Sequence, residues 1–146
     1  MCIALDLDGG LHQLDKHGYA RRLARIALSE TYGRKSVFYG PIYKSHAVED
    51  LREGGSAIKA VRVRFDNVGA GLEAKGGEPL QGFSIAGDDR LFVWANAKIE
   101  GDSVLVWSDK APDPKAVRYA WADAPSWANL LNKDGLPGLI FRTDEW

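Results

Sequence analysis

The spacing of apolar residues changes once along the chain, from a helical to an extended period. Between residues 15 and 32, apolar residues recur every three or four positions, which predicts one amphipathic helix. They are Ala20, Leu23, Ala24, Ala27 and Leu28. Asp15 is placed to cap the start of this helix, and Gly33 is placed to end it.

Beyond Gly33 the pattern favours short strands. Val61, Val63 and Phe65 alternate with charged residues, as in a strand with one buried face. The predicted strands are 36–39, 42–48, 61–66, 82–86, 91–99, 104–107 and 117–122. Residues 49–56 and 125–146 are predicted as loops, and residues 100–102 as a hairpin turn. This spacing predicts a mainly β fold, an antiparallel β-sandwich (jelly-roll-like) with one N-terminal amphipathic helix.

Composition narrows the class of protein. The 146 residues include 16 glycines and five each of tryptophan, tyrosine and phenylalanine, which suits a turn-rich β domain. A net charge of -1 argues against a nucleic-acid partner. The chain lacks an apolar run of about 18 residues, so we expect no membrane span. Its start has no basic region typical of a signal peptide, and the compartment stays open.

Three segments resemble the sialate O-acetylesterase family. They are TYGRKSVFYGPIYKS (31–45), RVRFDNVGAGLEAKGGEPLQGFSIAG (62–87) and AVRYAWADAPSWANLLNKDGLPGLIFRTDEW (116–146). The last segment resembles the closing pattern of the family, which is RYAW, an Asn-Leu pair, Gly-Leu-Pro and Phe-Arg-Thr. Members are serine esterases of the SGNH (GDSL-like) class and remove acetyl groups from sugars, including sialic acids and plant-polysaccharide units.

The resemblance implies a division of the chain into two parts. Residues 1–34 resemble the end of an SGNH esterase domain, with its histidine loop and last helix, and residues 35–146 resemble the C-terminal β-sandwich. His12 matches the catalytic histidine of the family, with Asp8 as the nearby carboxylate. The loop differs from the family at Gly9, where the family has Asp, and at Gln13, where it has Pro. We therefore expect the chain to supply the base but not the serine nucleophile, and to need no cofactor.

Ser103 lies in the only GDS sequence, Gly101-Asp102-Ser103. A serine nucleophile of this class belongs at a sharp turn from a strand into a helix. Ser103 instead precedes a predicted strand, so we interpret it as a hairpin residue and a decoy. His12, His17 and His46 do not have the spacing of a metal site, and none is predicted.

Aromatic residues beside amides suggest sugar binding, because a sugar ring stacks on an aromatic face while its hydroxyls take hydrogen bonds. Trp127, Asn129, Asn132 and Trp146 are the candidate contacts to a carbohydrate or acetylated glycan. Trp94, Trp107 and Trp121 are expected in the core.

Three functions stay open at this point. The chain is part of a carbohydrate esterase, a stand-alone carbohydrate-binding sandwich, or a structural or oligomerisation module. In a full esterase the apolar stripe of helix 15–32 would pack on the sheet of the SGNH domain. If that sheet is missing, we expect the stripe to pack on the sandwich of this chain or on a second copy, which would give a homodimer.

Overall fold

The structure, a computed structural model, describes residues 6–7, 14–53, 56–123 and 125–146. These ranges contain helix α1 (Lys16–Glu30), a 3-10 turn (Lys75–Gly77) and ten strands. The strands are β1 (Ile42–Glu53), β2 (Ser56–Asp66), β3 (Leu72–Ala74), β4 (Phe83–Ala86), β5 (Val93–Trp94), β6 (Asn96–Glu100), β7 (Ser103–Trp107), β8 (Ala116–Tyr119), β9 (Leu130–Asn132) and β10 (Phe141–Arg142).

The first sheet has the strand order β1-β2-β7-β6. Its strands β1 and β2 form one long antiparallel hairpin that stays paired as far as Glu53 and Ser56. The prediction of a loop at residues 49–56 was therefore wrong. The prediction relied on the many charged residues of this segment and overlooked its apolar residue, Leu51. In the structure Leu51 lies opposite Ile58, and both pack against a small cluster that contains Leu105 and Trp107.

The second sheet has the order β10-β8-β4-β5, and β3 pairs with β9 in a separate two-stranded sheet. Strands β9 and β10 lie in the segment 125–146, which was wrongly predicted to be a loop. Leu130 and Phe141 reach the core from these two short strands. Residues 36–39 were predicted to be a strand, but they have no regular secondary structure.

The two four-stranded sheets pack face to face around one apolar core. β2 and β7 contribute their alternate residues, such as Val63 and Val104, and β4 and β8 contribute theirs, such as Phe83 and Tyr119. The hydroxyl of Tyr119 accepts a hydrogen bond from the Leu130 amide at 2.9 Å, and burial raises the pKa of this phenol. This arrangement confirms the predicted antiparallel β-sandwich.

Helix α1 begins and ends close to the predicted positions. The Asp15 carboxylate accepts a hydrogen bond from the Gly18 amide at 2.8 Å, and Gly33 takes a left-handed conformation after the last turn. No residue of α1 is buried. Half-buried Arg22 and Ile26 face the sandwich, whereas the predicted apolar stripe is exposed. Within the described ranges, no helix is long and apolar enough to span a membrane.

Candidate functional site

Ser103 lies at the first position of β7, directly after the two-residue hairpin turn that joins β6 to β7. Its hydroxyl donates to the Glu100 carbonyl at 2.8 Å and accepts from Arg62 Nη1, also at 2.8 Å. The predicted hairpin is therefore confirmed. The hydroxyl hydrogen of Ser103 already has an acceptor in the turn, and no histidine contributes a hydrogen bond to it among the described residues.

Arg62 is the centre of the polar cluster around Ser103. Its guanidinium binds both oxygens of Glu49, at 2.9 and 2.6 Å, and one oxygen of Glu100 at 3.0 Å. Hydrogen bonds to Glu49 and then Glu100 raise the pKa of Arg62, and hydrogen bonds from Arg62 and then Lys98 lower the pKa of Glu100. Each charge in this cluster has a partner of opposite sign, so the cluster is a set of ion pairs on the outer face of the first sheet.

His12 and Asp8 lie outside the described residues, so the structure tests neither of them. Described residues on either side of the range 8–13 are tied to α1. Arg22 forms a two-point ion pair with Asp6, at 2.6 and 2.7 Å, and Asp15 caps the helix. In the described part of the chain, no group of three potential metal ligands comes together.

The side chains of Asn132 and Asn129 form hydrogen bonds with the backbone of neighbouring segments and do not face the groove described below. The Asn132 side chain is fully buried, donates to the carbonyls of Tyr39 and Asn67, and accepts from the Leu136 amide at 2.9 Å. Asn132 therefore cannot reach a sugar, which corrects the sequence-based assignment. The side chain of Asn129 is half-buried and binds the backbone of residues 79 and 81.

A groove of about 840 Å³ opens on the outer face of the second sheet. Strand register places four residues side by side across this face, because Trp94 pairs with Ser84, Ser84 with Arg118, and Arg118 with Arg142. Of these four, Trp94, Ser84 and Arg118 line the groove, and further lining residues come from the end of the first sheet and from the segment after β8. They include Asn96, Asp109, Lys110, Trp121 and Trp127.

Three tryptophans line this groove with much of their surface open to solvent. Trp94 is 67% exposed, Trp121 is 47% exposed and Trp127 is 39% exposed. Trp94 and Trp127 meet edge to face, with ring centres 5.7 Å apart and planes at 88°. The expectation that Trp94 and Trp121 belong to the core was wrong, and only Trp107 of the three is buried.

Arg118 lies between the aromatic residues of the groove and is held in one orientation. Its Nε and Nη2 atoms donate to the two oxygens of Asp144, at 2.9 and 2.7 Å, and this carboxylate has no exposed surface. The guanidinium carbon is 3.8 Å from the centre of the Phe92 ring and 5.8 Å from that of Trp121. Hydrogen bonds from Arg118 lower the pKa of Asp144, so the pair is ionised at neutral pH.

Trp146 is not among the groove residues. It is 43% exposed, and the guanidinium of Arg90 lies 5.2 Å from its ring centre. Of the four candidate sugar contacts from the sequence, only Trp127 lines the groove.

The chain is similar to part of a carbohydrate acetylesterase. A crystal structure of that enzyme, from Xanthomonas citri, superposes with a TM-score of 0.86 and 39% sequence identity. The match covers 97% of this chain and 31% of the enzyme. No protein-family model matches the chain. No curated protein matches it either.

This similarity relates the chain to carbohydrate esterases. It extends over the helix and the sandwich together, since nearly the whole chain superposes. The chain spans about a third of the length of the enzyme, so most of that enzyme has no counterpart here. The activity of the whole enzyme therefore carries over only as a proposal.

Proposed function

We propose that this chain acts as the C-terminal part of a carbohydrate O-acetylesterase of the sialate O-acetylesterase type. The observation that supports this most is the 39% identity to a carbohydrate acetylesterase over 97% of the chain. The resemblance of three long segments to the sialate O-acetylesterase family supports the same assignment and gives the order of the parts.

In this proposal His12 is the general base of the esterase. A serine hydroxyl on the complementary part of the esterase, meaning the part outside residues 1–146, attacks the acetyl carbonyl, and His12 takes the hydroxyl proton and then returns it to the departing sugar oxygen. A water molecule then attacks the acetyl-serine carbonyl while His12 takes its proton, and His12 returns that proton to the serine oxygen as acetate leaves. Asp8 orients the imidazole, and donors on the complementary part stabilise the oxyanion.

Contacts of Asp6 and Asp15 with α1 support a role for this helix in positioning His12. The Asp6–Arg22 ion pair and the Asp15 cap fix residues 6 and 15 to the first half of the helix. The exposed stripe of α1 then packs against the complementary part, which brings His12 to the nucleophile. Without that part, a second copy of the chain covers the stripe.

A chimera tests the proposal. The region of the Xanthomonas citri acetylesterase that matches this chain is replaced by residues 1–146, and hydrolysis of 4-nitrophenyl acetate and of acetylated xylo-oligosaccharides is measured. We expect activity in the chimera and a loss of about 10³-fold or more in kcat for His12→Ala. His17→Ala is the matched control, because His17 is an exposed histidine on the first turn of α1.

Two results would contradict the proposal. One is a folded chimera that has no activity, with folding checked by circular dichroism. The other is an active chimera in which His12→Ala and His17→Ala have the same rate. O-acetylated sialic acid, assayed beside the xylo-oligosaccharides, decides whether the substrate is of the sialate kind.

A further inference from the structure

We propose that the groove on the outer face of the second sheet binds a neutral linear glycan. This proposal goes beyond the ester chemistry above and does not rest on it. The groove is defined here by Trp94, Trp121, Trp127, Ser84, Asn96 and Arg118.

The exposed tryptophans are the first reason. A solvent-exposed indole gives up the hydrophobic free energy that its burial would contribute, so three of them around one groove indicate a partner that covers them. The perpendicular rings of Trp94 and Trp127 form a corner. A pyranose offers an apolar C–H face to one ring and its rim to the other.

The unpaired polar groups around the same groove are the second reason. Side chains of Ser84, Asn96, Asp109 and Lys110 line it and make no side-chain hydrogen bond or ion pair within the described ranges. In that part of the chain the Nη1 atom of Arg118 also donates to no protein group, although its other nitrogens bind Asp144. Such donors and acceptors match the hydroxyl groups of a sugar.

The shape of the row favours a chain of sugars over a single one. Trp94, Ser84 and Arg118 occupy three adjacent strands, so they span about 10 Å across the sheet at the usual strand spacing. A pyranose unit in a linear glycan is about as long as one such spacing, so the row contacts about two consecutive rings.

The balance of charge favours a neutral glycan. Arg118 is the arginine that lines the groove, and it is neutralised by the buried carboxylate of Asp144. Lys110 and Asp109 stand next to each other in the chain and offset each other at the rim. A carboxylate on the sugar would meet Asp109 as well as Lys110, and most of the contact surface is aromatic.

Isothermal titration of the full chain tests the site with cellohexaose, xylohexaose, mannohexaose and 3′-sialyllactose. We expect at least one neutral hexaose to bind, and 3′-sialyllactose to bind more weakly. Trp94→Ala and Trp127→Ala should each raise the Kd about 10-fold or more, and Trp94→Phe should restore part of the affinity. Trp146→Ala is the control and should change the Kd by less than about twofold.

Three results would overturn the proposal. They are no binding of any neutral hexaose at millimolar concentration, equal affinity of wild type, Trp94→Ala and Trp127→Ala, and tighter binding of 3′-sialyllactose than of every hexaose. Trp94 is 67% exposed, so its replacement should leave the thermal midpoint of unfolding unchanged. If Trp127→Ala fails to fold, Trp94→Ala alone therefore tests the site.

Discussion

Arg118 and Asp144 form a two-point ion pair between β8 and the C-terminal segment, with one partner fully buried and the other facing the groove. The Nε–Oδ1 and Nη2–Oδ2 distances are 2.9 and 2.7 Å. Asp144 is closed to solvent, whereas 20% of the Arg118 side chain is exposed. The pair therefore holds the C-terminal segment against β8 and also fixes the position of Arg118 in the groove.

Removing the arginine should cost far more than removing its neighbour. Arg118→Met leaves the Asp144 carboxylate buried without its main partner, and we expect the free energy of unfolding to fall by about 3–5 kcal/mol. Arg142→Met is the matched control, because Arg142 is 3.8 Å from Asp144 and 42% exposed, and it should cost less than about 1 kcal/mol. Urea denaturation measures both, and equal losses would contradict a dominant role for Arg118.

The same pair should make stability depend on pH in acid. Arg118 lowers the pKa of Asp144, so Asp144 stabilises the fold above its unfolded pKa of about 3.9 and loses this effect as the pH falls through its lower folded pKa. The difference in unfolding free energy between wild type and Asp144→Asn should be constant from about pH 5 to 7 and shrink below about pH 4.

A second carboxyl also titrates in acid but does not affect this comparison. Hydrogen bonds from Lys115 and then Lys59 lower the pKa of Asp113 to about 2. This residue is present in both proteins, so its contribution cancels in the difference. A gap between wild type and Asp144→Asn that stays constant down to about pH 2 would show that Asp144 does not titrate in this way.

The pattern of apolar and polar residues was enough to predict the β-sandwich, but it did not lead to the groove residues. Alternation identified β2, and the 3.6-residue period identified α1 with its Asp15 cap. The alternation of residues 93–99 also indicates which side chains face the groove. Val93, Ala95, Ala97 and Ile99 all pack against the core, so Trp94 must point the other way. Judging Trp94 by its size alone placed it on the wrong face.

Other features depend on contacts that are distant in the sequence. The chain changes sheets at Ala95, so that β5 pairs with β4 and β6 pairs with β7. Asn132 is a core residue because residues 39, 67 and 136 converge on it, and nothing in its local sequence indicates this. The register that lines up Trp94, Ser84 and Arg118 is set by pairing of three strands and not by any one of them.

Asn132 should affect folding and not ligand binding. Asn132→Asp would place a carboxylate oxygen against the carbonyls of Tyr39 and Asn67, which now accept from its amide. We expect a loss of about 2–4 kcal/mol in the free energy of unfolding. Asn129→Asp is the control, and since Asn129 is half-buried it should cost about 1 kcal/mol. Similar losses in both, measured in urea, would contradict the central role of Asn132.

Ser103 should prove to be structural. In the esterase chimera, Ser103→Ala should keep kcat within about twofold of the parent, because the serine that attacks is supplied by the complementary part. It should lower the free energy of unfolding by about 1 kcal/mol, because the hydrogen bonds to Arg62 and Glu100 are lost. A loss of about 10³-fold in kcat at unchanged stability would make Ser103 the nucleophile.

The exposed stripe of α1 should drive self-association when the chain is alone. Leu23 is 43% exposed and Leu28 is 38% exposed, so covering the rest of either side chain with a second copy would contribute on the order of 1 kcal/mol. We expect a dimer in sedimentation velocity at high micromolar concentration, and a monomer for the double variant Leu23→Gln, Leu28→Gln. Val48→Gln is the control, since Val48 is 49% exposed and belongs to β1 instead of α1, and it should leave the dimer intact. A wild-type chain that sediments as a monomer, or a double variant that stays dimeric, would show that this stripe does not hold two copies together.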